Sequence, residues 1–189
     1  MNDEGLTEQQ RKWMASVRAS LPEKTGRPMA EWVEIARTCP ETAPRARQRW
    51  FKEHHGLGVN YFSFVEHELR AASGDDARDP AKLAHGLWRR PEDAAVLAAI
   101  QAALAELPEV VTGQRKGFTT FSRRFAFAAA RPAKGAVRLG LALAPGKGAP
   151  AAAANEGWSE RLASTRVLTA PGEVDDAVKA LLRAAWERS

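Results

Sequence analysis

The run "VVTGQRKGFTTFSRRFAFAAARPAKGAVRLGLALA", Val110 to Ala144, decides the fold. Its apolar residues do not recur at helical intervals. They gather in short β-forming runs, "VVTGQ", "GFTTFS", "FAFAAARP" and "AVRLGLALA", split by glycine, proline or paired arginine. That is the pattern of strands joined by tight turns. Phe125 and Phe127 alternate, as do Val137, Leu139 and Leu141, so each strand is expected to bury one face. Phe118 and Phe121 stand an odd number of positions apart, so both can face one side only if a bulge intervenes. A flexible low-complexity loop, "PGKGAPAAAANEG", leads to another such run, "STRVLTA". The expectation is an antiparallel meander of about four strands.

Helices flank the meander. "PEDAAVLAAIQAALAEL" opens at Pro91 with Glu92 and Asp93 in its first turn, where the helix dipole favours acids. Leu97, Ile100, Leu104 and Leu107 form its stripe, and Val174, Val178, Leu181, Leu182 and Ala185 form that of "EVDDAVKALLRAAWE". Helices on one face of an antiparallel sheet make an α+β layer.

Upstream the texture is helical throughout. Thr7 and Gln10 have capping-box spacing, Trp13, Val17 and Leu21 repeat at helical intervals, and Pro22 is expected to end that helix. A second helix opens at Pro28 with Met29, Trp32, Val33 and Ala36 inward. A third opens around Thr42 and Pro44, carrying Trp50 and Phe51 inward and Arg45, Arg47 and Arg49 mostly outward. A fourth starts near Asn60 and runs through Tyr61, Phe64, Val65 and Leu69. Trp13, Trp32 and Trp50 are expected in the core. "SGDDARDP" has linker composition. The expected organisation is therefore a small all-α domain over 1–73, a linker over 74–80 and an α+β domain over 81–189.

The 189 residues carry a net charge of +5 and a pI of about 9.7, a balance that favours acidic partners. The lone Cys39 forms no internal disulfide, and no Cys/His set has zinc spacing, which suits a reducing compartment. The polar start "MNDEGLTEQQ" is unlike a signal peptide, and no apolar run is long enough to span a bilayer. A cytoplasmic protein without membrane partners is expected.

Catalytic motifs are missing. There is no Gly-x-Ser-x-Gly elbow, no phosphate-binding loop closed by Lys-Ser/Thr and no His-Glu-x-x-His. His54, His55, His67 and His85 all precede the sheet, and acids are absent from Val110 to Asn155. No enzymatic activity and no cofactor are expected. That acid-free window does hold Arg115, Lys116, Arg123, Arg124, Arg131, Lys134, Arg138 and Lys147, interleaved with phenylalanines, and Arg166 follows in the last strand run. Sheets that bind single-stranded nucleic acid combine cations for phosphates with aromatic faces for bases. Arg115, Lys116, Arg123, Arg124, Arg131, Arg138 and Arg166 are thus candidate anion-binding residues, with nucleic acid the leading ligand. The competing reading is a solvated basic face over a phenylalanine core, and a protein-interaction or small-ligand module the alternative function. In "RWFKEHHGLGVNYFSF", His54 and His55 close a helix and Gly56 suits a left-handed cap, so that stretch reads as a structural corner.

Two segments resemble known families. Thr25, Gly26, Trp32, Lys52, Glu53, His55, Gly56, Leu57 and Gly58 resemble the pattern of DUF4287, a small helical domain of unknown function found in many bacteria. "LPEVVTGQRKGFTTFSRRFAFAAARP", "VRLGLAL" and "STRVLTAPGEVDDAVKALLRAAW" resemble DUF5655, another domain of unknown function that often follows it. That family usually has a histidine before the Arg-Val of its last strand, where this chain has Thr165. The resemblance implies a two-domain fold and carries no reaction.

Overall fold

The computed structural model describes residues 5–73, 79–153 and 159–189. Residues 74–78 of the expected linker and 154–157 of the low-complexity loop lie outside them. The described residues divide into two compact units. One comprises 9–73. The other comprises 79–153 and 159–189 together with 5–8, which the sequence reading assigns to the helical domain.

The first unit holds α1 (Glu8–Thr25), α2 (Met29–Thr38), α3 (Pro44–His55) and α4 (Val59–Ala72). Its core is Leu21, Trp32, Ala36, Phe51, Leu57, Phe62 and Val65. The first helix does not end at Pro22. The proline removes one helical N–H, and the last turn closes without it. The Gly26 N–H donates to the Pro22 carbonyl at 2.8 Å, and the Thr25 hydroxyl to that of Leu21 at 2.6 Å. The expected caps also shift. Ala43 precedes α3 without a side-chain bond, and Gly58, not Asn60, precedes α4. Trp13 is not a core residue: it is 54% exposed, and its ring lies 5.7 Å from that of Phe64. Arg47 does not face water either. It reaches Glu66 at 2.7 Å, with the two side chains only 14% and 10% exposed, and donates to the Ala36 and Glu41 carbonyls.

The second unit holds α5 (Pro80–Leu87), α6 (Pro91–Ala105), β1 (Val111–Gln114), β2 (Thr119–Ser122), β3 (Ala126–Ala133), β4 (Ala136–Leu141), β5 (Ser164–Leu168) and α7 (Asp176–Glu187). Asp79 and Pro80, read as the end of the linker, cap and open α5. The sheet has five strands, in the order β1-β2-β3-β4-β5, every pair antiparallel. The five strands fall on the five β-forming runs of the sequence, one more than the expected count of about four. The core joins Val96, Ile100 and Leu104 of α6 and Val178, Leu182 and Ala185 of α7 to Phe121, Leu139, Leu141 and Leu168 of the sheet. At about 1.5–3 kcal/mol for each fully buried large apolar side chain, this contact is the main source of the unit's stability.

Candidate functional site

Alternation and register divide the sheet into two faces. Phe121, Ala128 and Leu141 are mutual cross-strand partners, and all three lie in the core with the helices. Phe118 stands at odd spacing from Phe121 and points to the other face. One step beyond the pair Thr119↔Ala130 brings Phe118 level with Arg131. Arg131 pairs directly with Arg138, and Arg138 with Val167. Phe118, Arg131, Arg138 and Val167 therefore form one row across the sheet on the face opposite the helices. Val167 is 51% exposed, while Phe118, Arg131 and Arg138 are half-buried. The neighbouring row, Thr120, Ala129, Gly140 and Thr165, holds only small residues, and its Ala129 and Thr165 are buried.

Arg115 and Lys116 are exposed in the β1–β2 hairpin, whose turn is closed by the Arg115 N–H donating to the Phe118 carbonyl at 2.9 Å. That turn lies at the same end of the sheet as Arg131, Arg138 and the exposed Lys134 of the β3–β4 turn, because successive hairpins of a meander alternate ends. Arg123 and Arg124 occupy the β2–β3 turn at the opposite end. Arg123 is committed within the fold. Its Nε donates to Glu109 at 2.9 Å, and its guanidinium lies 4.6 Å above the Trp186 ring. The Trp186 indole N–H in turn donates to the Pro108 carbonyl. Arg124 is exposed. Arg166 pairs with Leu139, so it sits on the helix-bearing face and does not join the row. Its guanidinium donates to the Gly148 carbonyl at 3.1 Å. Of the seven candidates, the geometry thus brings together Arg115, Lys116, Arg131 and Arg138, and separates Arg123, Arg124 and Arg166 from them.

The phenylalanines divide likewise. Register shifts between Phe121 and Ser122, pairing them with Ala128 and Ala126. Phe127 is the extra residue of this bulge and is fully buried in the core. Phe125 is not its partner in alternation, because β3 begins at Ala126. Phe125 stands in the turn under the Arg161 guanidinium, 4.0 Å from its ring centre.

In the first unit Arg45, Arg49 and Lys52 are exposed along α3, whereas Arg47 is turned to Glu66. The histidine pair is architectural. Gly56 adopts φ 66°, and its N–H and that of Leu57 bond the Lys52 and Phe51 carbonyls, a Schellman-type close. The His55 ring packs edge-on against Trp50 at 4.8 Å. Burial, then the charges of Arg27 and His54, hold its pKa below the usual histidine value. Among the described residues no cluster of three or more His, Cys, Asp or Glu side chains can hold a metal. No helix among them is long and apolar enough to cross a membrane. Lys147, a cation of the acid-free window but not one of the seven candidates, lines a cleft beside Arg166. It lies in a low-complexity loop, 19 positions before that neighbour, so the sequence does not show that the two meet.

A family model described as Domain of unknown function (DUF5655) matches residues 88–189. One described as Domain of unknown function (DUF4287) matches residues 13–71. No curated protein and no solved structure matches the chain.

Proposed function

The chain belongs to the DUF5655 family, with a DUF4287 domain ahead of it, and from that premise we propose that it is a non-enzymatic, cytoplasmic binding protein whose sheet presents a basic surface to single-stranded nucleic acid. The observation that carries this reading is the row Phe118–Arg131–Arg138 on the face opposite the described helices, continued at its end by Arg115, Lys116 and Lys134. Guanidinium and ammonium groups spaced along a strand register suit the repeating phosphates of a single strand, and a half-buried aromatic ring beside them suits base stacking. Such binding is non-specific in sequence and weakens steeply with salt.

The test is fluorescence anisotropy of a labelled single-stranded RNA across a salt series. Binding by the parent chain should weaken steeply as salt rises. Replacing the exposed hairpin pair, Arg115→Gln with Lys116→Gln, removes two charges. It should lower the slope of log affinity against log salt by about 1.4, at roughly 0.7 per phosphate contact on single strands. Equal affinity and slope in parent and double variant would sink the reading.

A further inference from the structure

A second feature lies on the other face of the sheet and does not depend on the nucleic-acid reading. A cleft of about 360 Å³ opens between β5 and α7, lined by Lys147, Gly148, Arg166, Val178, Ala180 and Leu181. That size falls at the lower end of small-ligand pockets. Its walls differ sharply in chemistry. The helix side is aliphatic, and two of its residues, Ala177 and Ala180, are small enough to leave the space open. The strand side carries two cations.

The cationic wall is held in place. The loop after β4 is fastened to the outer edge of β5, the Thr165 N–H donating to the Pro150 carbonyl and the Ala152 N–H to that of Ala163. Gly146 and Ala149 bridge to one another, and Ala149 is buried. Lys147 therefore projects from a closed turn. The Arg166 guanidinium is tied to the Gly148 carbonyl of that same turn. A wall fixed in advance binds a ligand with little further loss of conformational freedom.

Charge selects the ligand class. Lys147 and Arg166 bring two positive charges to the mouth. Glu173 lies outside this lining; the Thr169 N–H and hydroxyl hold its carboxylate and, ahead of the charge of Arg166, lower its pKa. Two cations beside an aliphatic wall suit an anionic head carried on an apolar chain. We propose that this cleft binds a small monocarboxylate with an apolar tail, its head between Lys147 and Arg166 and its tail along Val178 and Leu181.

The experiment titrates the full chain with octanoate, 1-octanol and octylammonium, following backbone amide shifts by NMR. Octanoate should produce saturable shifts centred on Gly148, Ala180 and Leu181, with an affinity roughly tenfold above that of octanol, as expected for a charge-assisted contact. Octylammonium should produce none there. Lys147→Gln, an exposed turn position, should weaken octanoate roughly fivefold and leave octanol unchanged. Ala180→Trp, which fills the cleft from the exposed side of α7, should abolish both. Octanol binding as tightly as octanoate, octanoate shifts that fall elsewhere, or no saturable octanoate shift at all each overturns the proposal. An unchanged octanoate affinity in both variants also overturns it.

Discussion

Thr25 performs two tasks with one hydroxyl. It donates to the Leu21 carbonyl at 2.6 Å and accepts from the Trp32 indole N–H at 2.9 Å. The Thr-Gly…Trp pattern is thereby a clasp between the end of α1 and the buried face of α2. Thr25→Val keeps the shape and strands the indole N–H, so the midpoint of urea unfolding should fall by the equivalent of about 1–3 kcal/mol. His55 supplies a pH dependence. Its folded pKa lies below the unfolded value of 6.5, so below neutrality the unfolded chain takes up the proton first. Stability is therefore fully present above about pH 7 and is lost as pH falls through 6.5 towards the folded pKa. His55→Phe should flatten the urea midpoint between pH 7.5 and 5.5, and an unchanged slope would reject His55 as the source. At this scale Gly56 was readable in advance, because a left-handed cap is a local requirement. Arg47 was not, because its direction is set by Glu66, which lies 19 residues further along the chain and on another helix.

Among the elements, the β2–β3 pair shows how register outranks periodicity. Alternation predicts Phe125 and Phe127 on one face. The bulge opposite Phe121 instead makes Phe127 the inserted, buried residue and leaves Phe125 in the turn. Only the odd spacing of Phe118 and Phe121 was diagnostic by itself, and it separates the aromatic of the candidate site from that of the core. Arg123 is an element-scale residue too, joining the β2–β3 turn to Glu109 and to α7 through Trp186. Arg123→Ala should reduce stability by about 1 kcal/mol, the sum of a partly exposed ion pair and a cation–π contact. It should leave the salt slope of RNA binding as in the parent chain. A lowered slope would return Arg123 to the binding surface.

At the level of the whole molecule each unit has its own apolar core, and the segment 5–8 belongs with the sheet. A β-carbon added at Gly5 would stand 3.0 Å from the Thr112 carbonyl oxygen, with φ at +83°, so this segment runs close along β1, an edge strand. A fragment of 79–189 should fold cooperatively, with a lower thermal midpoint than a version retaining 5–8 through a short linker, because it uncovers that edge. Equal midpoints would show that the segment contributes nothing.

By itself the sequence determined the helical first half, the switch to a meander after Val110, the helices on one face and the basic, acid-free character of the sheet. Each follows from local spacing and composition, which the chain carries within a few residues. Tertiary structure alone decided which cations share a surface. A strand's two faces differ by one residue of register, so Arg138 and Arg166 part company through their partners Val167 and Leu139. Arg131 meets Arg138 and Arg123 meets Glu109 only because hairpin turns bring distant residues level.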